Sequence, residues 1–158
     1  MSVAVGESIP DAEIPATGGD PIRLSDLQGQ ILVLFFYPKA STPGCTQEGQ
    51  DFRDAYGGFR DAGVEVLGAS RDSLKSQENF KAKHGFPFRL LSDTDETLCA
   101  LFDVIKMKKM YGREVRGIER STFLVDEAGV LRREWRGVKV KGHVQQVMEA
   151  VKELQTTP

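Results

Sequence analysis

Apolar residues along this chain alternate between unbroken runs and helical stripes. "QILVLFFY" (30–37) is a continuous apolar run, the mark of a strand covered on both faces, and Pro38 ends it. "GVEVLGAS" (63–70) reads as a second buried strand. Between them Cys45, Gly49, Phe52, Tyr56 and Phe59 recur at helical spacing and predict a helix over 43–59. "RDSLKSQENFKAKHG" (71–85) predicts another helix, capped by Asp72 or Ser73 and closed by Gly85. A short helix is expected over 95–102. "IERSTFLVDEAGVLRREW" (118–135) predicts a strand, a turn at "DEAG" and an antiparallel strand. The last helix, 142–155, carries Val144, Val147, Met148, Val151 and Leu154 on one face. Residues 1–30, rich in Pro, Gly and Asp, read as a wrapped extension of short strands and turns.

This order is β-α-β-α, a short helix, then β-β-α. Strands alternating with helices imply a parallel core, and the terminal hairpin adds an antiparallel edge. The expected fold is a thioredoxin-like α/β sandwich with a mostly parallel central sheet and an N-terminal extension. With 158 residues, one domain spanning 1–158 is expected. Such a fold hosts many activities, so function must come from a site.

Composition narrows the partners. Lys and Arg total 21 against 23 Asp and Glu, which gives no overall case for nucleic acid or an anionic membrane. No apolar run is long enough to span a bilayer, and the N-terminus lacks a basic start followed by an apolar core. Two cysteines, Cys45 and Cys99, are too few for a disulfide framework, so a cytoplasmic protein with reduced thiols is expected. Cys45, His84, Cys99 and His143 form no close pairs of the kind a zinc site needs, and no Gly-rich phosphate fingerprint follows a strand. Neither metal nor cofactor is expected. The basic stretch "IKMKKMYGR" (105–113) reads as a solvated loop face.

The chemistry gathers around Cys45. Thr42 suits an N-cap and Pro43 the first helical position, which sets Cys45 third in the helix. Backbone N–H groups there have no intrahelical partner. With the positive end of the helix dipole they favour thiolate over thiol. A buried cysteine acting as a small hydrophobe is the competing reading.

"YPKASTPGCTQEGQDFRD" (37–54) resembles the active-site segment of peroxiredoxins, in particular the peroxiredoxin Q or bacterioferritin comigratory protein subfamily. "DVIKMKKMYGREVRGIERSTFLVD" (103–126) is similar to a second block of that subfamily, and the likeness covers nearly the whole chain. The resemblance implies a thioredoxin-dependent peroxidase with Cys45 as the peroxidatic nucleophile. It implies that Thr42 holds the peroxide by its hydroxyl, that Pro38 shields the thiolate from water, and that Arg120 stabilises it. Pro38, Thr42, Gly44 and Arg120 would form the peroxide site. Glu48, one turn after Cys45, is a candidate to orient Arg120; a solvated helix residue is the other reading.

Many relatives carry a resolving cysteine five residues after the first, where this chain has Gln50. Others place it in the next helix, where this chain has Lys81. Cys99 is the remaining internal candidate, and a partly buried thiol without a role is its plainer reading. The remaining routes are an external thiol or an intermolecular bond, and reduction by thioredoxin, glutaredoxin or a small thiol is the expected one, in a monomer or weak dimer. Two other classes stay open: a cysteine hydrolase pairing Cys45 with His84 or His143, and a non-catalytic binding module.

Overall fold

The structure, a computed structural model, describes residues 2–156, with only the backbone of Met110. Met1 of the expected extension, and Thr157 and Pro158 at the other end, lie outside the described residues.

At the centre is a five-stranded sheet built on β3 (Ile31–Phe36), whose six side chains are all buried. Strand β4 (Val64–Ser70) pairs parallel with β3, and β5 (Leu90–Ser92) pairs parallel with β4. On the other side β8 (Ser121–Val125) pairs antiparallel with β3, and β9 (Leu131–Arg136) antiparallel with β8. The spatial order is β5-β4-β3-β8-β9, so the sheet is mixed. Two small antiparallel hairpins lie outside it: β1 (Glu13–Ile14) with β2 (Ile22–Arg23), and β6 (Ile105–Met110) with β7 (Arg113–Ile118).

Strand parity divides the core. Val33, Phe35, Val64 and Val66 face α1 (Pro43–Asp61), α2 (Leu74–His84) and α4 (His143–Thr156), through Phe52, Phe59, Phe80 and Val147. Leu32, Leu34, Phe36 and Leu67 face the other way, against α3 (Thr97–Phe102) and the N-terminal extension. The extension crosses the sheet, bridging Ala16 to Leu91 at one edge and Ser8 to Val130 at the other. Covering on both faces is why β3 shows no alternation.

The caps follow the local chemistry. Ser73 accepts a hydrogen bond from the Ser76 N–H at the start of α2, and Gly85 closes it in the left-handed region at φ 64°. Asp72 has other work: its carboxylate accepts from the Ala40 N–H at 2.8 Å and the Ser70 hydroxyl at 2.6 Å. It thereby ties the loop before α1 to the end of β4. The stretch 105–113 is a correction. It is a hairpin rather than a loop face, turning at Tyr111 and Gly112, both at positive φ (53° and 76°). That is the geometry of a two-residue hairpin turn.

Helix α1 lies tight against the aromatic core. A Cβ at Gly49 would run into Cζ of Phe86, whose ring is stacked on Phe88 and edge-on to Phe80. With the ring held on both sides, Gly49→Ala is expected to lower the urea midpoint. Overpacking of roughly 1–3 kcal/mol outweighs the ~1 kcal/mol that alanine gains over glycine in a helix. An unchanged or raised midpoint would show that Phe86 yields freely.

Candidate active site

The strand–loop–helix passage from β3 to α1 sets the site. Tyr37 stays in register by donating its N–H to the Ala69 carbonyl, and its buried hydroxyl donates to Gln77 at 2.6 Å. Pro38 follows, half-buried, and Ser41 turns the chain at φ 67°. Thr42 is the N-cap, and its carbonyl takes the first helical bond, from the Thr46 N–H. Its side chain does not cap the helix. The hydroxyl donates instead to the Lys39 carbonyl at 2.7 Å. With its proton committed there, the Thr42 oxygen is left as an acceptor.

Cys45 is the third residue of α1 and is buried, 1% exposed, beneath this loop. Arg120, just before β8, reaches it from the end of the strand beside β3. Its Nη2 donates to Cys45 Sγ at 3.4 Å and its Nη1 to Glu48 Oε1 at 2.7 Å. Gly44 lets the guanidinium in, since a Cβ there would stand 3.1 Å from Nη2. Cys45, Glu48, Gly44 and Arg120 thus form one contact group, with Thr42 and Pro38 on the loop beside it.

Glu48 is not a solvated helix residue: it is fully buried, and its Oε2 has no hydrogen-bond partner among the described residues. Burial pushes its carboxyl up to about 7, against the pull of the Arg120 charge. For Arg120, burial works against the charge, yet Glu48 and Cys45 beside it hold its pKa above the usual value. The guanidinium therefore stays charged, and the titrating member of the pair is Glu48.

The second thiol is elsewhere. Cys45 belongs to the core on the α1 face of the sheet and Cys99 to the core on the opposite face. Cys99 is fully buried, its N–H held by Asp93 Oδ2 at 2.7 Å. Burial, with Asp93 close by, pushes its thiol far above the usual range. A central sheet stands between the two sulfurs. Both cysteines are free.

The imidazoles are also engaged away from Cys45. His143 Nε2 is 2.8 Å from the Thr122 hydroxyl, and the His84 ring stacks on Phe86. Burial, then the Arg120 charge, lowers His143 to about 4. The folded protein therefore keeps this ring neutral while the unfolded chain protonates near pH ~6.5. The associated stability is full above that pH and is lost as pH falls towards ~4. The urea midpoint is expected to fall over this window in the wild type, and more shallowly in His143→Gln. Parallel pH profiles would count against it.

Lys81 donates to the Phe86 carbonyl and closes the end of α2. Lys108, missed in the basic stretch, is half-buried near the site, its ammonium bonded to the Ile118 carbonyl. Burial, then the charge of Arg120, lowers its pKa, while Glu119 and Cys45 oppose this. Among the described residues, no cluster of three His, Cys, Asp or Glu side chains suits a metal, and no helix is long and apolar enough to cross a membrane.

Known proteins share this architecture. The AhpC/TSA family profile matches residues 5–134. Peroxiredoxin Bcp of Bacillus subtilis is 46% identical over 154 residues, covering 98% of both chains. Peroxiredoxin Bcp of Xanthomonas campestris is 53% identical, covering 90% of this chain and 89% of its own. Among solved structures, peroxiredoxin Q of Xanthomonas campestris matches with a TM-score of 0.86 at 52% identity, over 90% of each chain. A PrxQ mutant of Xylella fastidiosa matches with a TM-score of 0.93 at 42% identity, over 98% of this chain and 99% of its own. Identity of this order along nearly the full length, with a first-turn cysteine on a half-buried arginine, places the chain in the AhpC/TSA family as a thiol peroxidase of the peroxiredoxin Bcp/PrxQ subfamily.

Proposed function

We propose that the chain reduces hydrogen peroxide and organic hydroperoxides at Cys45, and that the oxidised cysteine is resolved by a thiol from outside the chain. The observation that carries this reading is the guanidinium of Arg120, joined at once to Cys45 Sγ and to the buried carboxyl of Glu48. Organic hydroperoxides are included because a solved relative, the bacterioferritin comigratory protein of Xanthomonas campestris, is described by its alkyl peroxide reduction activity.

The Cys45 thiolate attacks the terminal oxygen of the peroxide. A sulfur–oxygen bond forms, the oxygen–oxygen bond breaks, and the leaving oxygen departs as hydroxide or alkoxide and takes a proton. Arg120 bears on the oxygens where that charge collects, and the free N–H groups of the first turn add to it. Glu48 fixes the guanidinium plane. The Thr42 oxygen accepts the peroxide O–H, since its own proton goes to Lys39. Pro38 and the burial of Cys45 keep bulk water from the thiolate.

Cys45 is left as a sulfenic acid, which a thiol must clear before further oxidation. Cys99 is poorly suited to that step. Its sulfur lies across the sheet, and a disulfide needs Cα atoms within about 7 Å. Thioredoxin, glutaredoxin or a small thiol is the reductant in this reading. Residues 1–158 act as one unit in a reducing cytoplasm, as a monomer or weak dimer. The hydrolase alternative loses support because neither imidazole hydrogen-bonds Cys45 among the described residues.

Mass spectrometry after one equivalent of peroxide tests this cycle. The expected product is a trapped sulfenic acid on Cys45 with Cys99 reduced. A Cys45–Cys99 bond would overturn external resolution, and a disulfide-linked dimer would replace it with resolution by a second copy.

A further inference from the structure

The β6–β7 hairpin forms a sheet separate from the main one, its strands pairing only with each other among the described residues. Residues 105–120 hold six cationic side chains (Lys106, Lys108, Lys109, Arg113, Arg116, Arg120) and two acidic ones, in a chain whose formal net charge is −2. Lys106, Arg116 and Arg120 are paired with Asp103, Glu96 and Glu48, which leaves Lys109 and Arg113 as the exposed cations of the arm without an ion pair among the described residues. The arm also carries three of the five exposed large apolar residues among those described: Met107, Val115 and Tyr111, the last 98% exposed at the turn.

Its root is fixed and its tip is free. Arg116 and Arg71 both pair with Glu96 at the start of α3, and the Lys108 ammonium is bonded to the Ile118 carbonyl. Two residues beyond Ile118 the chain reaches Arg120, which touches Cys45. Toward the tip, Lys109 and Arg113 are exposed and have no ion pair among the described residues. Six-residue strands extend about 20 Å at ~3.4 Å per residue. The arm is therefore rooted two residues before Arg120, whose guanidinium touches Cys45.

We propose that the β6–β7 hairpin is the docking arm for a dithiol protein reductant whose surface around its attacking cysteine is acidic with an apolar centre. The inference rests on external resolution of Cys45 and names the partner for it. Cys45 is too buried for a blunt approach, so a partner must be held at the rim while its thiol reaches in. The first thiolate of the reductant attacks Cys45 sulfur; a sulfur–sulfur bond forms and the sulfenic oxygen leaves as water with a proton. The second thiol of the reductant then attacks the mixed disulfide. Cys45 is released reduced, and the partner carries away the disulfide. Cations on the arm steer such a surface and fix its orientation. Tyr111 offers a rigid aromatic anchor.

The test uses the double variant Tyr111→Asn/Arg113→Glu. Asparagine before Gly112 suits the turn, so the hairpin keeps its fold. Bacterial thioredoxin with its reductase serves as the protein reductant and dithiothreitol as the small one. The expected result is a roughly tenfold rise in KM for thioredoxin, with dithiothreitol turnover and single-turnover Cys45 oxidation unchanged. The wild-type kcat/KM for thioredoxin should also fall with salt, and the variant's less steeply. An unchanged KM overturns the proposal, as does a wild type that thioredoxin does not reduce although Cys45 oxidises normally. A wild type that sediments as a dimer while the variant is monomeric assigns the arm to self-association instead. Failure of Cys45 to oxidise at all would sink the peroxidase cycle itself, a result visible before any reductant is added.

Discussion

Cys45→Ser is expected to abolish thiol-dependent peroxide consumption, a loss of at least ~10³-fold, while Cys99→Ala retains turnover close to wild type. The contrast comes from where the two sulfurs sit. Cys45 lies in the first turn of α1 with a guanidinium 3.4 Å from its sulfur. A serine hydroxyl in that place meets the same donors, but it is a far weaker nucleophile at neutral pH and cannot form a sulfenic acid. Cys99 is sealed in the core across the sheet, and its thiol is pushed well up by burial. Truncating it to alanine removes only a small buried group, so a stability loss of ~1 kcal/mol is the main consequence. Peroxide consumption with thioredoxin and its reductase as the reducing system, followed for both variants beside wild type, decides the matter. Loss of turnover in Cys99→Ala with the fold intact would return Cys99 to the cycle and contradict external resolution.

Legibility varied with the physics behind each element. Strand β3 and helices α1, α2 and α4 were readable because one local rule dominates each: a doubly covered apolar run, a helical stripe, a serine cap with a closing glycine. The β6–β7 hairpin was not. Its strands mix cations and apolar residues without a sustained two-residue alternation, and Tyr-Gly is a weak turn signal beside Asn-Gly. Strand β5, three residues long, is defined by its pairing with β4 rather than by any pattern of its own. In the site, Cys45 could be placed by counting from Pro43. The burial of Glu48 could not, because it depends on Arg120, 72 residues away. Nor could the face occupied by Cys99, which emerges only once α3 is docked on the extension side of the sheet. Asp72 reads as a possible cap, and only the fold reveals it bracing the loop ahead of Cys45.

Arg120→Gln is expected to slow Cys45 oxidation by roughly 10²–10³-fold, the cost of losing one well-aimed donor to developing oxyanion charge. Its effect on stability has the opposite pH logic from that of His143. Glu48 already sits up at about 7 with Arg120 present. Without that cation nothing opposes burial, and its pKa rises further. A carboxyl whose folded pKa exceeds its unfolded value costs stability as pH rises above the unfolded value, near 4.3. That cost stops growing once pH passes the folded value. Arg120→Gln should therefore be nearly as stable as wild type in mild acid, where Glu48 is protonated in both. It should fall behind steadily above neutrality, where breaking a buried pair approaches the ~3–5 kcal/mol typical of an uncompensated charge. Adding Glu48→Gln removes the charge that must be buried, so the double variant should regain stability at alkaline pH. It should not regain the rate, because no guanidinium faces Cys45. Urea midpoints at several pH values, set beside single-turnover oxidation rates, separate the two roles. If the double variant recovered the rate along with the stability, Arg120 would act on the fold alone. If Glu48→Gln by itself left the rate untouched at every pH, the carboxyl would have no part in aiming the guanidinium.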